Sequence, residues 1–185
     1  TCDKVSRFLE AAGYECRVIG IPKTIDNDLC GTDHCPGYGS AAKYIATSMA
    51  EVCKDTYVYD VGTVTVVEIM GRHAGWLTCA SALAALSCAP PDLIYMPEVD
   101  FDVDRFLEDV NRIYKEKTKC LVAVSEGIHY ADGTFVSEAK LSVTDGFGHA
   151  QLGGLASTLA GLIRQRTGSK VRGIELSLLQ RCGAH

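Results

Sequence analysis

The sequence predicts an α/β protein whose parallel sheet is flanked by helices. Two observations lead to this prediction. Short apolar segments, rich in β-branched residues, alternate along the chain with longer segments of helical periodicity, as in βαβ units. The short segments are also continuously apolar rather than alternating, which indicates strands covered on both faces, as in a parallel sheet.

The first predicted elements surround a polar loop. Apolar residues at helical spacing predict an opening helix that stops at Gly13. An apolar run at residues 16–21 predicts a buried strand, and the loop of residues 22–36 follows it. The next helix is predicted over residues 40–55, because its apolar side chains share one face.

The strongest helical pattern covers residues 102–119. Its apolar side chains form one stripe, with acidic residues in the first turn and lysines near the end, as the helix dipole favours. Two further helices are predicted, at residues 76–86 and 152–166. The remaining strands are predicted at residues 63–69, 93–96, 120–124 and 171–179.

Composition excludes several classes of protein. The chain of 185 residues is 47% hydrophobic and 22% charged, as in ordinary globular domains, and its net charge of −5 argues against a nucleic-acid partner. No apolar run approaches the roughly 20 residues that span a bilayer, so no membrane partner is expected. The nine cysteines are scattered without a C-x-x-C pair, so most are predicted to be small buried hydrophobes in a reducing, cytoplasmic compartment.

Charged residues follow the predicted strands. Because ligands of open parallel sheets bind beyond the carboxyl ends of the strands, these residues are expected to meet at one edge. Carboxylates suit proton abstraction, hydroxyl recognition and Mg²⁺, while arginines suit phosphate. The pattern therefore indicates a phosphorylated polyol substrate and phosphoryl transfer. The residues concerned are the carboxylates Asp26, Asp28 and Glu126 and the cations Lys23, Arg72 and Arg181.

A structural interpretation of each motif remains open. Asp-Asn-Asp at residues 26–28 is also common turn chemistry, because such side chains hydrogen-bond to nearby backbone. Arg72 alone could be a surface cation, and Glu126 could cap a strand end. The functional interpretation depends on all of them following successive parallel strands.

Five motifs carry a resemblance to the phosphofructokinases over essentially the whole chain. The first two motifs are highly specific to that family. Lys23 resembles the pyrophosphate-using branch, since the ATP-using enzymes typically have glycine there. The motifs are Pro-Lys-Thr-Ile-Asp-Asn-Asp at 22–28, Met-Gly-Arg-His-Ala-Gly-Trp at 70–76, Pro-Glu at 97–98, Ser-Glu-Gly at 125–127 and Leu-Gln-Arg at 179–181.

The resemblance implies catalytic roles for the first two motifs. Asp26 would be the general base that takes the proton from the sugar 1-hydroxyl. Thr24 and Asp28 would support it around the transferred phosphoryl group, and Lys23 would neutralise pyrophosphate. The second motif, through the backbone of Met70 and Gly71 and the side chain of Arg72, would form part of the sugar and transition-state site.

The resemblance also implies how the sugar phosphate is bound. Glu126 would accept hydrogen bonds from sugar hydroxyls, and Arg181 would bind the 6-phosphate. Arg172 resembles an arginine that a neighbouring subunit supplies to that phosphate, which implies a homo-oligomer with shared active sites. Two positions depart from the family pattern: Thr63 stands where many members have arginine, and Leu178 where many have histidine.

The expected activity is magnesium-dependent phosphoryl transfer from pyrophosphate to the 1-hydroxyl of fructose 6-phosphate, giving fructose 1,6-bisphosphate in glycolysis. Two alternatives remain: ATP as the donor, or a non-catalytic regulatory subunit that binds sugar phosphate. The family's Gly-Gly-Asp segment, which holds the donor and the main Mg²⁺ ligand, is absent from these 185 residues. The chain is therefore expected to be a fragment that lacks most of the donor site.

The resemblance implies parts of two Rossmann-like domains. Residues 1–37 would end the first domain, and residues 38–179 would form the second domain, on the sugar-phosphate side. Residues 180–185 would return to the first domain. The active site would then lie in the cleft between the two domains.

Overall fold

The computed structural model describes residues 1–137 and 154–184. Helices and short strands alternate along these residues, as the sequence predicts. In chain order the elements are α1 (Cys2–Ala11), α2 (Tyr38–Val58), β1 (Thr63–Ile69), α3 (Trp76–Ala80), a 3₁₀ helix (Ser81–Leu86), β2 (Leu93–Tyr95), α4 (Val103–Lys117), β3 (Lys119–Ser125), α5 (Leu155–Thr167), β4 (Lys170–Glu175) and α6 (Leu179–Cys182).

The described strands form one parallel sheet in the order β2-β3-β1-β4. The central strand, β1, pairs with β3 on one side and with β4 on the other, so that Thr63 lies opposite both Lys119 and Lys170. All pairs are parallel, so the carboxyl ends of the four strands meet at the same edge. The predicted α/β class is confirmed.

Helices pack on both faces of the sheet. On one face, Val64 and Val66 of β1 pack in a cluster with α4 and α5. On the other face, Val67 and Ile69 pack with α2 and α3. Every residue of β1 is buried, the polar Thr63, Thr65 and Glu68 included, because a strand covered on both faces has no side chain directed to water.

Helix α4 lies almost where its pattern predicts it. The side chain of Asp102 caps the first turn by accepting a hydrogen bond from the backbone N–H of Arg105, at 2.8 Å. The helix ends at Thr118, whose φ of 61° is left-handed. Its buried side chains share one face and anchor the helix on the sheet: they are Phe106, Leu107, Val110 and Ile113.

The predicted strand at residues 16–21 is wrong. These residues have no regular secondary structure, and Ile19 and Ile21 are each 83% exposed. An apolar run becomes a strand only when a neighbouring strand satisfies its backbone groups, and the described residues offer none beside it.

Other predicted elements need smaller corrections. The helix at 76–86 is divided between α3 and the 3₁₀ helix. The last strand ends at Glu175 instead of residue 179, and α6 follows after a turn. The predicted start of a helix at residue 152 lies outside the described residues, within which α5 begins at Leu155. No helix among the described residues is long and apolar enough to cross a membrane.

Candidate active site

Three chain segments leave the sheet side by side at its carboxyl edge. Ile69, the last residue of β1, lies opposite Ser125, the last residue of β3. The backbone N–H of Glu126 donates to the carbonyl oxygen of Ile69 at 2.8 Å, which holds the two exits together. On the other side, the N–H of Leu176 donates to the carbonyl oxygen of Glu68 at 3.2 Å. The residues that follow these strands are therefore close neighbours.

The loop that carries Asp26 is closed by the side chain of Asn27. Its amide oxygen accepts from the backbone N–H of Cys35 at 2.8 Å, and its amide nitrogen donates to the carbonyl oxygen of Asp33 at 3.1 Å. Asn27 is 8% exposed and has a left-handed φ of 60°, which asparagine adopts readily. The turn chemistry of Asp-Asn-Asp is thus performed by Asn27, and the neighbouring Asp28 is exposed.

Asp26 is half-buried beside both negative and positive groups. Burial raises the pKa of its carboxyl, and the Asp28 carboxylate raises it further. Arg72, His73 and Arg181 act on the pKa in the opposite direction. The hydroxyl oxygen of Thr24 accepts from the N–H of Asp26 at 3.1 Å and fixes the backbone there. This environment gives a carboxylate that is more basic than a free aspartate and has cations nearby.

Glu126 joins the same group of charges. Its Oε1 accepts from the backbone N–H of Gly71 at 3.4 Å. Burial is the main reason that the pKa of its carboxyl is raised, and Asp26 adds to this effect, whereas the Gly71 N–H, Arg72 and Arg181 lower it. The structure therefore brings together five predicted site residues, which we call the charged cluster: Asp26, Asp28, Arg72, Glu126 and Arg181.

The turn of residues 70–75 is held at both ends by side chains. The backbone N–H of Met70 donates to Oε1 of Gln180 at 3.0 Å, and that of Gly75 donates to Oε1 of Glu98 at 2.6 Å. The hydroxyl of Ser125 donates to the carbonyl oxygen of Gly71. Gly71 has a φ of 134°, and a Cβ there would lie 2.5 Å from the Ala74 carbonyl oxygen, so this position requires glycine.

Sequence reasoning assigned no role to the residues that fix this turn. Gln180 is 3% exposed, and its Nε2 donates to the carbonyl oxygen of Ser177 at 2.9 Å, so one buried amide joins the exits of β1 and β4. The sequence did offer a signal for these roles, since Gln180 and Ser125 directly precede the predicted site residues Arg181 and Glu126. The N–H groups of Met70 and Gly71, expected to contact the sugar, are occupied by Gln180 and Glu126 in this structure.

Arg172 lies away from the charged cluster. It is opposite Thr65 in the register of β4 with β1, about 17 Å along the strand from Met70 at roughly 3.3 Å per residue. Its guanidinium pairs with Asp55 of α2 and lies 5.9 Å from the ring centre of Tyr59. Lys23 lies in the exposed segment before Thr24.

A buried carboxylate, Glu68, lies behind the charged cluster. Its Oε2 accepts from the backbone N–H of Ala156 in the first turn of α5 at 2.9 Å. Burial, with the charges of Glu175 and Glu126, raises its pKa to about 7, although the backbone N–H groups of Ala156 and Leu155 act to lower it. A charged residue within the apolar strand 63–69 was the sequence signal for this site. Glu68 lines a pocket of about 110 Å³ with Met70, Glu126, Glu175, Ser177 and Gln180.

Glu68→Gln is expected to remove a pH dependence of stability. The pKa of Glu68 in the folded protein, about 7, exceeds its ordinary value of 4.5. The stability that protonated Glu68 contributes is therefore fully present below its ordinary pKa and is lost as pH rises through its pKa in the folded protein. Glutamine keeps an acceptor for Ala156 but cannot ionise. In urea unfolding, the free energy of unfolding of the variant minus that of the native protein should therefore increase by roughly 2–3 kcal/mol between about pH 5 and pH 8.

The matched control for that measurement is Glu108→Gln, an exposed carboxylate on α4. It should leave the pH dependence of the unfolding free energy unchanged. Identical slopes for Glu68→Gln and the native protein would contradict the assignment of the raised pKa to Glu68.

The fold is an α/β protein in which carboxylates and arginines gather at the carboxyl edge of a parallel sheet, the edge at which such folds bind ligands. Comparison with known proteins makes this more specific. Residues 2–185 match the family model described as Phosphofructokinase, and the chain belongs to that family.

Several of the similar proteins are named for pyrophosphate-dependent phosphoryl transfer to fructose 6-phosphate. The chain is 46% identical over 188 residues to a pyrophosphate--fructose 6-phosphate 1-phosphotransferase of Halomonas elongata, covering 100% of this chain and 44% of the relative. It is 47% identical over 188 residues to the enzyme of that name from Xanthomonas campestris pv. campestris, covering 100% of this chain and 45% of the relative. A solved pyrophosphate-dependent phosphofructokinase from Marinobacter aquaeolei superposes with a TM-score of 0.76 at 37% identity, over 98% of this chain and 42% of that one. The chain thus spans less than half the length of these relatives.

Proposed function

We propose that the protein transfers a phosphoryl group from pyrophosphate to the 1-hydroxyl of fructose 6-phosphate, giving fructose 1,6-bisphosphate. The observation that carries this proposal is the charged cluster, in which a carboxylate of raised pKa, Asp26, lies beside Arg72 and Arg181. The relatives from Halomonas elongata and Xanthomonas campestris, which are named for this reaction, support it. A glycolytic role in the cytoplasm follows from the same proposal.

Asp26 acts as the general base. Its raised pKa makes it a better proton acceptor than a free aspartate, and the nearby Arg72 and Arg181 favour its ionised form. It takes the proton of the 1-hydroxyl as the oxygen attacks the terminal phosphorus of pyrophosphate. Arg72 stabilises the charge that develops on the transferred phosphoryl group, since such transfers depend mainly on positioning and electrostatics.

Arg181 and Glu126 bind the acceptor sugar. A guanidinium matches the 6-phosphate, and a buried carboxylate can accept hydrogen bonds from sugar hydroxyls. The backbone of Met70 and Gly71 lies between these groups and completes the sugar site. Because the Gly71 N–H already donates to Glu126, a sugar hydroxyl that bonds to Glu126 would share that carboxylate with the turn.

Thr24 and Asp28 support the donor side of Asp26, and Lys23 neutralises pyrophosphate. Mg²⁺ is part of the proposal as the usual partner of transferred phosphates. Residues 1–137 and 154–184 contain no group of three or more His, Cys, Asp or Glu side chains that could hold a metal ion.

We also propose that the active sites are shared within a homo-oligomer. Arg172 lies on β4, far along the strand from the charged cluster, which suits a role in a neighbouring subunit's site. We propose the domain division 1–37, 38–179 and 180–185, in which the described sheet, within residues 63–175, belongs to the second domain. No nucleic acid or membrane is part of the proposed function.

The test of the activity uses the full-length protein. Formation of fructose 1,6-bisphosphate from fructose 6-phosphate is measured with pyrophosphate and, separately, with ATP. Turnover with pyrophosphate in clear excess over ATP is expected. Turnover with ATP alone would assign the donor to the first alternative, and binding of fructose 6-phosphate without turnover from either donor would support a regulatory subunit.

Lys23→Gly is expected to weaken the use of pyrophosphate. A charged hydrogen bond to phosphate contributes about 1.5–3 kcal/mol, so kcat/KM for pyrophosphate should fall about 10- to 100-fold. The value for ATP should change little, so the preference between donors shifts. Arg17→Gly, which removes a cation from the same exposed segment, serves as the control and should leave both values unchanged. An unaltered donor preference in Lys23→Gly would contradict the role of Lys23.

A further inference from the structure

Two thiols from distant parts of the chain meet beneath the sheet. Cys53 lies on α2, and Cys88 lies just after the 3₁₀ helix Ser81–Leu86. Their sulfur atoms are 2.7 Å apart, although the residues are separated by 35 positions in the sequence. Cys53 is 1% exposed, whereas Cys88 is exposed to solvent. The thiol of an exposed residue thus touches the thiol of a buried one.

A second contact holds this pair in place. Tyr57 lies one helical turn beyond Cys53, and its hydroxyl donates to Oδ2 of Asp92 at 3.0 Å. Asp92 also accepts from the backbone N–H of Leu121 at 2.9 Å and from Nζ of Lys117 at 2.7 Å. The segment that follows Cys88 is therefore anchored to α2, β3 and α4 at once. The approach of the two sulfurs is fixed by these anchors and does not depend on a flexible loop.

The prediction that most cysteines are buried is wrong. Only Cys35, Cys53 and Cys120 are buried, while six of the nine are exposed: Cys2, Cys16, Cys30, Cys79, Cys88 and Cys182. Cys53 and Cys88 differ from the other cysteines because they pair a buried thiol with an exposed one. That arrangement provides an attacking thiol and a resolving thiol.

We propose that Cys53 and Cys88 form a modification site, at which a low-molecular-weight disulfide converts the two thiols into a reversible disulfide between α2 and the segment before β2. The reagent class is a small R–S–S–R compound, such as oxidised glutathione. The site is separate from the charged cluster, and the proposal does not rest on the proposed phosphoryl transfer.

The reaction proceeds by two exchanges. The Cys88 thiolate attacks one sulfur of R–S–S–R, which forms Cys88–S–S–R and expels R–S⁻. Cys53 then gives up its proton to solvent, and its sulfur attacks the Cys88 sulfur, forming the Cys53–Cys88 disulfide and expelling the second R–S⁻. Two protein thiols are oxidised, and one reagent disulfide is reduced to two thiols.

The surroundings favour this order of attack. Burial, followed by the hydrogen bond and the charge of the adjacent Cys88, raises the pKa of the Cys53 thiol to about 11. Asp92 acts in the same direction, while the backbone at Ala89 lowers the pKa. Once Cys88 is in a mixed disulfide it carries no negative charge, so its contribution to the raised pKa disappears. The second exchange also benefits from the enforced proximity of the sulfurs.

The experiment incubates the full-length protein with oxidised glutathione and maps the products by peptide mass spectrometry. A linked peptide containing Cys53 and Cys88 is expected, with the loss of these two thiols. The unfolding temperature should rise by about 5–10 °C, because the bond closes a long loop, and dithiothreitol should reverse the change. A Cys88–glutathione adduct that persists in the native protein, or an unreactive Cys88, would overturn the proposal.

Variants separate the two steps. Cys53→Ala is expected to stop at the Cys88–glutathione adduct, and Cys88→Ala is expected to leave Cys53 unmodified. Cys79→Ser, which removes another exposed thiol, is the control and should still give the linked peptide. If Cys53→Ala fails to fold, the native protein still decides the question, since quantitative conversion to the linked peptide supports the proposal and random pairing with Cys79 overturns it.

Discussion

Replacement of Asp26 by asparagine is expected to lower kcat for the proposed reaction by about 10²- to 10⁴-fold, the usual contribution of a positioned general base. Asparagine has the same shape and keeps the backbone bond to Thr24, but it cannot take the proton of the attacking hydroxyl. The measurement is steady-state turnover of the full-length variant with pyrophosphate and fructose 6-phosphate. The KM for the sugar phosphate should change much less than kcat, because the loss falls on the transition state.

The matched control for Asp26→Asn is Asp60→Asn. Asp60 is an exposed carboxylate before β1, at the opposite end of the strand from the charged cluster. Its replacement should leave kcat unchanged. Turnover of Asp26→Asn or Asp26→Ala within about tenfold of the native protein would show that Asp26 is not the base.

The same assignment predicts the acid side of the pH profile. Because burial and Asp28 raise the pKa of Asp26, the base is lost by protonation as pH falls through a value above that of a free aspartate. The acid limb of kcat/KM should therefore lie above the ordinary range of an aspartate. Removal of the Asp28 charge by Asp28→Asn should move this limb to lower pH, since one of the groups that raise the pKa is gone.

Gly127→Ala is expected to damage both stability and activity. A Cβ at Gly127 would overlap the carbonyl oxygen of Arg72 and would lie 2.6 Å from that of Gly71, so the turn that carries Arg72 must move. The atoms in the way are backbone and cannot rotate aside. We expect a loss of about 3 kcal/mol in the free energy of unfolding, and a fall of about 100-fold in kcat/KM from the displacement of Arg72.

Gly161→Ala provides the comparison within the same chain. Gly161 lies inside α5, and a Cβ there would meet nothing within 4 Å. Alanine should therefore be neutral or stabilise the helix by up to about 1 kcal/mol. Urea unfolding and steady-state kinetics of both variants decide the matter. Native stability and native kcat/KM in Gly127→Ala would contradict the close approach of residue 127 to the turn.

Local patterns predicted most helices and strands of the described sheet and its cover, because each of these patterns depends only on residues that are close in sequence. Helix α4 has its apolar stripe, its capping Asp102 and its terminal charges within one segment, so the local sequence is enough to predict this helix. The run at 16–21 has an equally apolar pattern, but a strand also requires a partner strand. Whether a partner strand lies beside a segment is decided by the fold and not by the local sequence, so the predicted strand at 16–21 was wrong.

The same distinction applies to the candidate site. Sequence order predicted that Arg72 and Glu126 would meet, because β1 and β3 end at a common edge. Asp26 lies beside them although the segment before it is not a strand. Sequence order did not predict that Gln180 would occupy the N–H of Met70, since that bond joins residues 110 positions apart. Nor did it predict the pKa of Glu68, which depends on burial and on Glu175 and Glu126 from two other strand exits.

The central position of β1 has a consequence for the synthesis of the protein. Its two partners, β3 and β4, begin at Lys119 and Lys170, long after Ile69 has been translated. At about 5–20 residues per second, the ribosome releases β1 seconds before any strand can pair with it. During that interval α2 can already pack on Val67 and Ile69, whereas Val64 and Val66 have no cover until α4 and α5 are translated. Completion of the described sheet must then wait for β4.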